Sequence, residues 1–401
     1  MAEEKIAIYA MTHKDFVPPS DPIYVPLHVG RALYLRRESI GTTSVEKNGS
    51  DSLSVTGHPE NSSELTGIMR FLGDDTGDNI SARNDNFSEL TGHYYVWKND
   101  KASDIIGTCH YRRYLISDKT GDLLTSYEIK TLLKKYDIIT TKNLLLNFPY
   151  EFGFSEHHKP MYLTATGDVL KDLYPKDHAV FEKLIKEEHT YFGNMLICRR
   201  EIFEDYSDWL FSILFELDKR ITIDEPDSYH RRIYGFISEF LLYVYIVSRG
   251  LKAKECKVGM TAEKTEVTAI KKRLAEYFKQ GDYIGAREYF LEQKKLRPDI
   301  TMEASDITGE LHLSMQAIAT AGLEDKEYGD HILNRIRDFD ELMTLFNTLN
   351  KYTVARLNGK PEASESQWIR DNHITPVAVS VSEEMFKNVG NNRVLINKTM
   401  K

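Results

Sequence analysis

Between residues 5 and 250 the chain keeps alternating short β-patterned apolar runs with longer stretches of helical periodicity, and that alternation limits the folds open to it. "KIAIYAMTHK" at the start, "IIGTCHYRRYL" at 105–115, "YDIITTK" at 136–142 and "GNMLIC" at 193–198 read as strands. Between and after them come helical stretches. These are "SYEIKTLLKKY", a segment over 163–188, "EIFEDYSDWLFSILFELDKRI" with a broad apolar face from Phe203 to Leu217, and "GFISEFLLYVYIVSRG" at 235–250, closed by Gly250. A chain with this order is expected to form an α/β domain whose mostly parallel sheet is flanked by helices.

The connecting segments differ in character. "FVPPSDPIYVPLHVGRAL" is too rich in proline for regular structure before its helix-like end. Residues 39–63, full of Ser, Thr, Gly and Asn, read as a long surface loop. Ser88 is placed to cap a helix that carries Leu90, Tyr94 and Trp97 on one face. After about 262 the pattern becomes charged and amphipathic, so we divide the chain into 1–262 and a mainly helical, smaller module over 263–401. Within that module the stretch at 273–298, with a Gly-Asp-Tyr turn, small Ala286 and closing Pro298, resembles a tetratricopeptide-like hairpin. "PVAVSVS" and "NRVLIN" near the end carry no clear assignment.

Composition removes several function classes. A net charge of −9 over 401 residues, with no basic stripe, argues against nucleic acid as a partner. The first residues lack a signal-peptide pattern, and the longest apolar run, 240–247, is far short of the roughly 20 residues a spanning helix needs. Loose attachment to a membrane surface stays open. Cys109, Cys198 and Cys256 have no metal-site spacing and read as reduced core thiols of a cytoplasmic protein. No P-loop, Gly-x-Gly-x-x-Gly, His-Glu-x-x-His or Gly-x-Ser-x-Gly pattern is present.

Three places could carry chemistry. Adjacent residues of a strand face opposite ways, so Arg112 and Arg113 share a task only if the strand ends near His110 and "HYRR" becomes a loop. An internal ion pair and an anion site are then equally good explanations. The loop "GDDTGDNISARN" gathers Asp74, Asp75 and Asp78 near Asn79, Arg83 and Asn84; such aspartates hold a divalent ion or simply cap loops and helices. Glu239 lies in a strongly apolar helix. Burial would raise its pKa and suit it to proton transfer, unless Arg231 or Arg232 pairs with it. His157 and His158, in a loop, could reach a ligand, although adjacent loop histidines are more often solvated, and Asn194 and Met195 matter only if their strand ends at a cleft.

"NISARNDNFSELTGHYYVWKN", "IIGTCHYRRYL", "YFGNMLICRREIFEDYSDWLFSILFELDKRI" and "GFISEFLLYVYI", in this order and after "IYAMTHK" and "YVPLHVG", resemble the blocks of a bacterial glycosyltransferase family catalogued as domain of unknown function 4422. The resemblance covers roughly residues 5–255. It implies a GT-A-like, Rossmann-type domain that transfers a sugar from a nucleotide sugar, a UDP-sugar first, to a glycan or lipid-linked glycan acceptor in surface or capsular polysaccharide synthesis. Such work belongs in the cytoplasm, at the inner face of the membrane where the acceptor is lipid-linked. The resemblance puts Thr12, His13 and Lys14 at the nucleotide. It puts Asn79, Arg83, Asn84, Tyr111, Asn194 and Met195 around the donor, and makes Glu89, Glu239, His110, Arg112 and Arg113 the catalytic set. Where many GT-A enzymes carry an Asp-x-Asp, this chain has "HYRR", which suggests cations in place of a metal at the diphosphate. Asp74, Asp75 and Asp78 are the fallback site for Mg or Mn. The C-terminal helices would bind a partner or acceptor or make an oligomer. The competing expectation is a non-catalytic carbohydrate- or protein-binding scaffold on a degenerate transferase domain.

Overall fold

The structure is a computed structural model that describes residues 4–43, 67–146, 148–225, 227–301 and 305–387. The chain forms two compact units, Met1–Thr261 and Ala262–Lys401.

The first unit is built on β1 (Ile6–Thr12), β2 (Tyr24–His28), β3 (Leu72–Gly73), β4 (Ile105–His110), β5 (Arg113–Ile116), β6 (Ile138–Thr141), β9 (Leu196–Arg199) and β10 (Ala253–Met260). Their order in one sheet is β3-β2-β1-β4-β5-β10-β6-β9, and a separate ribbon pairs β7 (Leu144–Leu145) with β8 (His189–Thr190). Along β1, Ile6, Ile8 and Ala10 enter one core with Ile105, Cys109, Ile139 and Ile197. Ala7, Tyr9 and Met11 enter the other, with Phe87, Val96 and the helices Arg200–Arg220 and Ile233–Ser248. Both faces of the sheet are therefore covered, as continuous apolar strands require. The three cysteines are buried and unbonded to one another, and burial pushes the Cys256 thiol up to about 11.

The expected mostly parallel sheet is corrected to a mixed one. β1 runs parallel to β2 and β4, β2 to β3, and β10 to β6. β9 is antiparallel to β4 and β6, and β5 to β4 and β10. For β5 the cause is the two-residue turn at Tyr111 and Arg112, which breaks 105–115 into two strands and sends β5 back along β4. The pairings β4-β9-β6-β10-β5-β4 then close a circuit. β10 escaped the sequence reading because only Cys256 of "AKECKVGM" is fully buried.

β2 also overturns the expectation of irregular chain before the first helix. Val29 donates to Thr12 O, so by alternation the missing N–H of Pro26 faces away from β1, toward a side that β3 covers only from Leu27 onward. Ser88 does not cap the helix after it. That helix runs Leu90–Asn99 behind Glu89, while Ser88 ends the short helix Asn84–Phe87 at φ 51, ψ −131. Pro175 divides the 163–188 segment into helices Pro160–Leu173 and Pro175–Leu184. Of the expected 39–63 loop, residues 39–43 continue the helix Arg31–Thr43 and the rest lies outside the described residues.

In the second unit, helices Thr265–Gln280 and Tyr283–Leu296 form a hairpin. Gly281, at φ +74, permits the turn, and the Asp282 carboxylate accepts from Gly285 N at 2.8 Å. Ala286 is fully buried where the helices meet. Helices Glu310–Tyr328, Phe339–Leu357 and Pro376–Lys387 complete the core. "PVAVSVS" is thus helical, and "NRVLIN" lies outside the described residues. Among the described residues no helix is long and apolar enough to cross a membrane.

Candidate active site

Three parallel strands end side by side: β1 at Thr12, β2 at His28 and β4 at His110, with Met11 opposite His110 and Thr12 opposite His28. The carboxyl ends of such strands are where α/β sheets bind ligands. Because β4 stops at His110, Tyr111 and Arg112 form the turn and Arg113 opens β5, so the cationic cluster leaves the sheet at its edge. His13 packs edge-on against Tyr111 at 5.5 Å, and Arg112 lies 5.3 Å over the same ring. The Thr12 hydroxyl donates to Lys14 O at 2.6 Å and fixes the loop after β1.

Behind the turn lies a knot of hydrogen bonds around Gly193 and Asn194. His110 Nε2 is 2.5 Å from Gly193 O; a carbonyl only accepts, so the proton sits on Nε2. Gly193 N donates to Glu239 Oε1 at 2.9 Å. At φ +94 this position favours glycine, and Arg113 Nη1 lies 3.7 Å from where a Cβ would stand. Asn194 Nδ2 donates to Glu89 Oε1 at 2.6 Å and to Gly235 O at 3.1 Å, while its Oδ1 accepts from Ser238 Oγ at 2.9 Å. Thr108 Oγ1 donates to Asn194 O at 2.9 Å. Glu89, His110, Arg113, Asn194 and Glu239, which come from separate strands, loops and a helix, thus converge.

The charges in this knot influence one another. Desolvation first, and the Glu89 carboxylate second, push Glu239 up to about 8, against the pull of Gly193 N–H, Arg113 and Arg232. At neutral pH Glu239 therefore carries a proton. Burial and the Arg113 charge hold His110 below the usual histidine range. Burial also draws Arg113 down, against Glu239 and Glu89, yet a guanidinium stays charged throughout.

Other expected site residues are engaged elsewhere. Arg83 pairs with Asp218 at 2.7 Å and lies 4.4 Å over Phe87. Asn84 donates to Ser88 O and Thr91 Oγ1. Asn79 closes its own loop on Gly77 O. Met195 is core, its carbonyl accepting from Thr140 Oγ1. The three aspartates do not form a ligand set. Asp74 is fully buried and accepts from Gly30 N, Arg31 N and Ser81 Oγ, capping the helix Arg31–Thr43. Asp75 faces Arg31 at 3.6 Å, and Asp78 accepts from Tyr94 OH. Among the described residues no group of three His, Cys, Asp or Glu could hold a metal ion. This acidic loop does not fit Mg or Mn.

Residues 7–250 match the family described as domain of unknown function, DUF4422. The chain belongs to this family. No curated protein matches this DUF4422 chain. Among solved structures it is similar to the apo structure of the bifunctional glycosyltransferase WbbM, at 27% identity and a TM-score of 0.51. That match covers 65% of this chain and 46% of the other, so it spans less than half of the WbbM structure. In the DUF4422 domain, sequence reasoning missed Gly193, Ser238 and the carbonyl of Gly235 as parts of the site. Their spacing from Glu89 and Arg113 along the chain carries no signal; only the fold brings them together.

Proposed function

We propose that this DUF4422 chain is a glycosyltransferase with a GT-A-like arrangement, moving a sugar from a nucleotide sugar, a UDP-sugar first, to a glycan acceptor. The observation that carries the proposal is the convergence of Arg113 with Glu89, Glu239, His110 and Asn194 at the carboxyl ends of β1 and β4. Arg113, with Arg112 on the same turn, is assigned to the diphosphate, whose leaving charge a bidentate guanidinium stabilises. Tyr111 and His13 flank the nucleotide. The acceptor hydroxyl oxygen forms the new bond to the anomeric carbon, and the bond to the diphosphate oxygen breaks with its electron pair. The hydroxyl proton passes to Glu89, which Asn194 holds in place. Glu239 is already protonated near neutrality and so is assigned to positioning, through Gly193, rather than to proton removal. The likeness to WbbM supports sugar transfer as the chemistry.

The test is UDP release by the full chain from a panel of UDP-sugars with glycan acceptors, with and without EDTA. Release that persists in EDTA is expected, as is its loss in Arg113→Ala with an unchanged circular dichroism spectrum. Absence of both UDP binding by calorimetry and UDP release would refute the proposal, and loss in EDTA would refute the metal-free form.

A further inference from the structure

A second patch, carrying two arginines, adjoins the site on two segments that the donor arrangement leaves unused. His157, His158 and Lys159 follow the helix Tyr150–Ser155, and Tyr229 to Arg232 precede the helix Ile233–Ser248. The His158 ring lies 4.4 Å from that of Phe236 and 5.8 Å from that of Tyr229. The Arg232 guanidinium sits 5.7 Å and 5.2 Å over Tyr229 and Phe236. Asp227 fixes the turn by accepting from Tyr229 N, His230 N and His230 Nδ1 at 2.9, 2.9 and 2.7 Å, and Asn86 Nδ2 holds Arg231 O at 3.0 Å.

Five neighbouring carboxylates are committed. Glu225 serves Tyr162 OH and Lys159, Asp218 serves Arg83 and Tyr234 OH, Asp227 serves His230, and Glu89 and Glu239 serve Asn194 and Gly193. Among the described residues neither Arg231 nor Arg232 has a carboxylate partner, and buried Arg231 Nε and His158 Nδ1 have no hydrogen-bond partner. A guanidinium flattened on aromatic rings, with no anion, is prepared for one. Arg232 is close enough to Arg113 and Glu239 to act on the charge of both, and Phe236 lies one turn before Glu239 on the same helix. An anion taken by these groups would therefore lie beside the reacting centre, on a chain segment other than the Arg112–Arg113 turn assigned to the donor diphosphate.

We propose that Arg231 and Arg232, held by Asp227 and backed by His158, bind a negatively charged group, phosphate or carboxylate, carried by the acceptor sugar. This rests on the glycosyltransferase reading. The probes are glucose 1-phosphate and glucuronate, each titrated by calorimetry into full chain saturated with UDP; the two arms distinguish phosphate from carboxylate. One equivalent of one probe should bind. Arg231→Ala with Arg232→Ala should weaken it at least about tenfold and leave UDP affinity within about twofold, and Arg113→Ala should do the reverse. If the double variant loses its circular dichroism, the exposed Arg232→Gln alone carries the test. Failure of both probes to bind beside UDP overturns the proposal. So does a fall in UDP affinity in the arginine variants as large as in Arg113→Ala. If UDP fails to bind while a probe still binds through Arg231 and Arg232, the donor reading falls and the anion site stands.

Discussion

Replacing Glu239 by Gln isolates the proton that the fold imposes on this site. In the unfolded chain a glutamate ionises near 4.5; in the fold, desolvation and Glu89 carry it to about 8. The raised value fixes the sign. Between these limits the folded protein holds a proton that the unfolded chain has released, so the group's contribution is full below pH 4.5 and is lost as pH rises toward 8. At about 1.4 kcal/mol per pH unit, the span from pH 5 to pH 8 gives a ceiling of roughly 4 kcal/mol. Glu239 keeps some solvent contact, so roughly 2 to 4 kcal/mol is expected. Gln cannot ionise, keeps the volume, and keeps the carbonyl that accepts from Gly193 N. The assay is urea unfolding at pH 5, 6.5 and 8, followed by the fluorescence of Trp97 and Trp209 in a Trp368→Phe background, which limits the signal to the first unit. The variant should gain on the parent by about that amount between pH 5 and pH 8, since groups that do not interact with Glu239 cancel in the difference and Gln, neutral like the protonated acid, leaves Glu89 as it is in the parent below pH 8. A gap that does not change with pH would refute the reasoning.

The same assignment predicts that Glu89→Gln loses transfer activity by at least about a hundredfold, while Glu239→Gln keeps most of it at pH 7, read as initial rates of UDP release. Asp74→Ala should lower urea stability by about 2 to 3 kcal/mol, because it strips Gly30 N, Arg31 N and Ser81 Oγ of their acceptor in a buried position. Below pH 6.5 the first unit should lose stability. Burial holds His28 at about 4 and His93 and His158 at about 3, so the unfolded chain takes up protons there that the fold refuses. Denaturation at pH 4.5 and pH 7 in the Glu239→Gln background, free of the opposing glutamate, reads that loss together with the smaller one from carboxylates the fold holds low, such as Asp100 and Asp227.

How much of this could be read from the chain depends on whether the deciding partner was local. β1, β4 and the apolar helices are visible because their apolar patterns are their packing: alternate residues of β1 enter two different cores, so the whole run is apolar. The placing of Glu239 in a buried helix and its raised pKa also follow from its neighbours in sequence. Arg83 shows the opposite case. As one cation in an acidic loop it reads as a ligand-binding residue, and only the docking of the helix Arg200–Arg220 supplies Asp218 to take it. Asp74 likewise looks like a metal ligand until the fold brings Gly30 and Arg31 to it. β2 and β10 were hidden because they break the strand grammar, one with a proline and the other with lysines in a strand whose side chains are mostly only half-buried.

Strain shows where the fold is most constrained. Among the described residues, only Ser88, Asn194 and His373 have positive φ without being glycine. Two of the three bracket one carboxylate: Ser88 precedes Glu89 in the chain, and Asn194 donates to Glu89 Oε1. Each such conformation costs on the order of 1 kcal/mol or more and persists only where its surroundings insist on it. Here Asn194 is held by Glu89, Gly235, Ser238 and Thr108, and the carbonyl of Ser88 by Asn84. A protein that needed only a buried turn could place glycine at both positions and avoid that cost. Glycine at 194 would keep the backbone but release Glu89, so the side chain and the strained backbone together are what aim the carboxylate at the end of β4, beside His110 and Arg113.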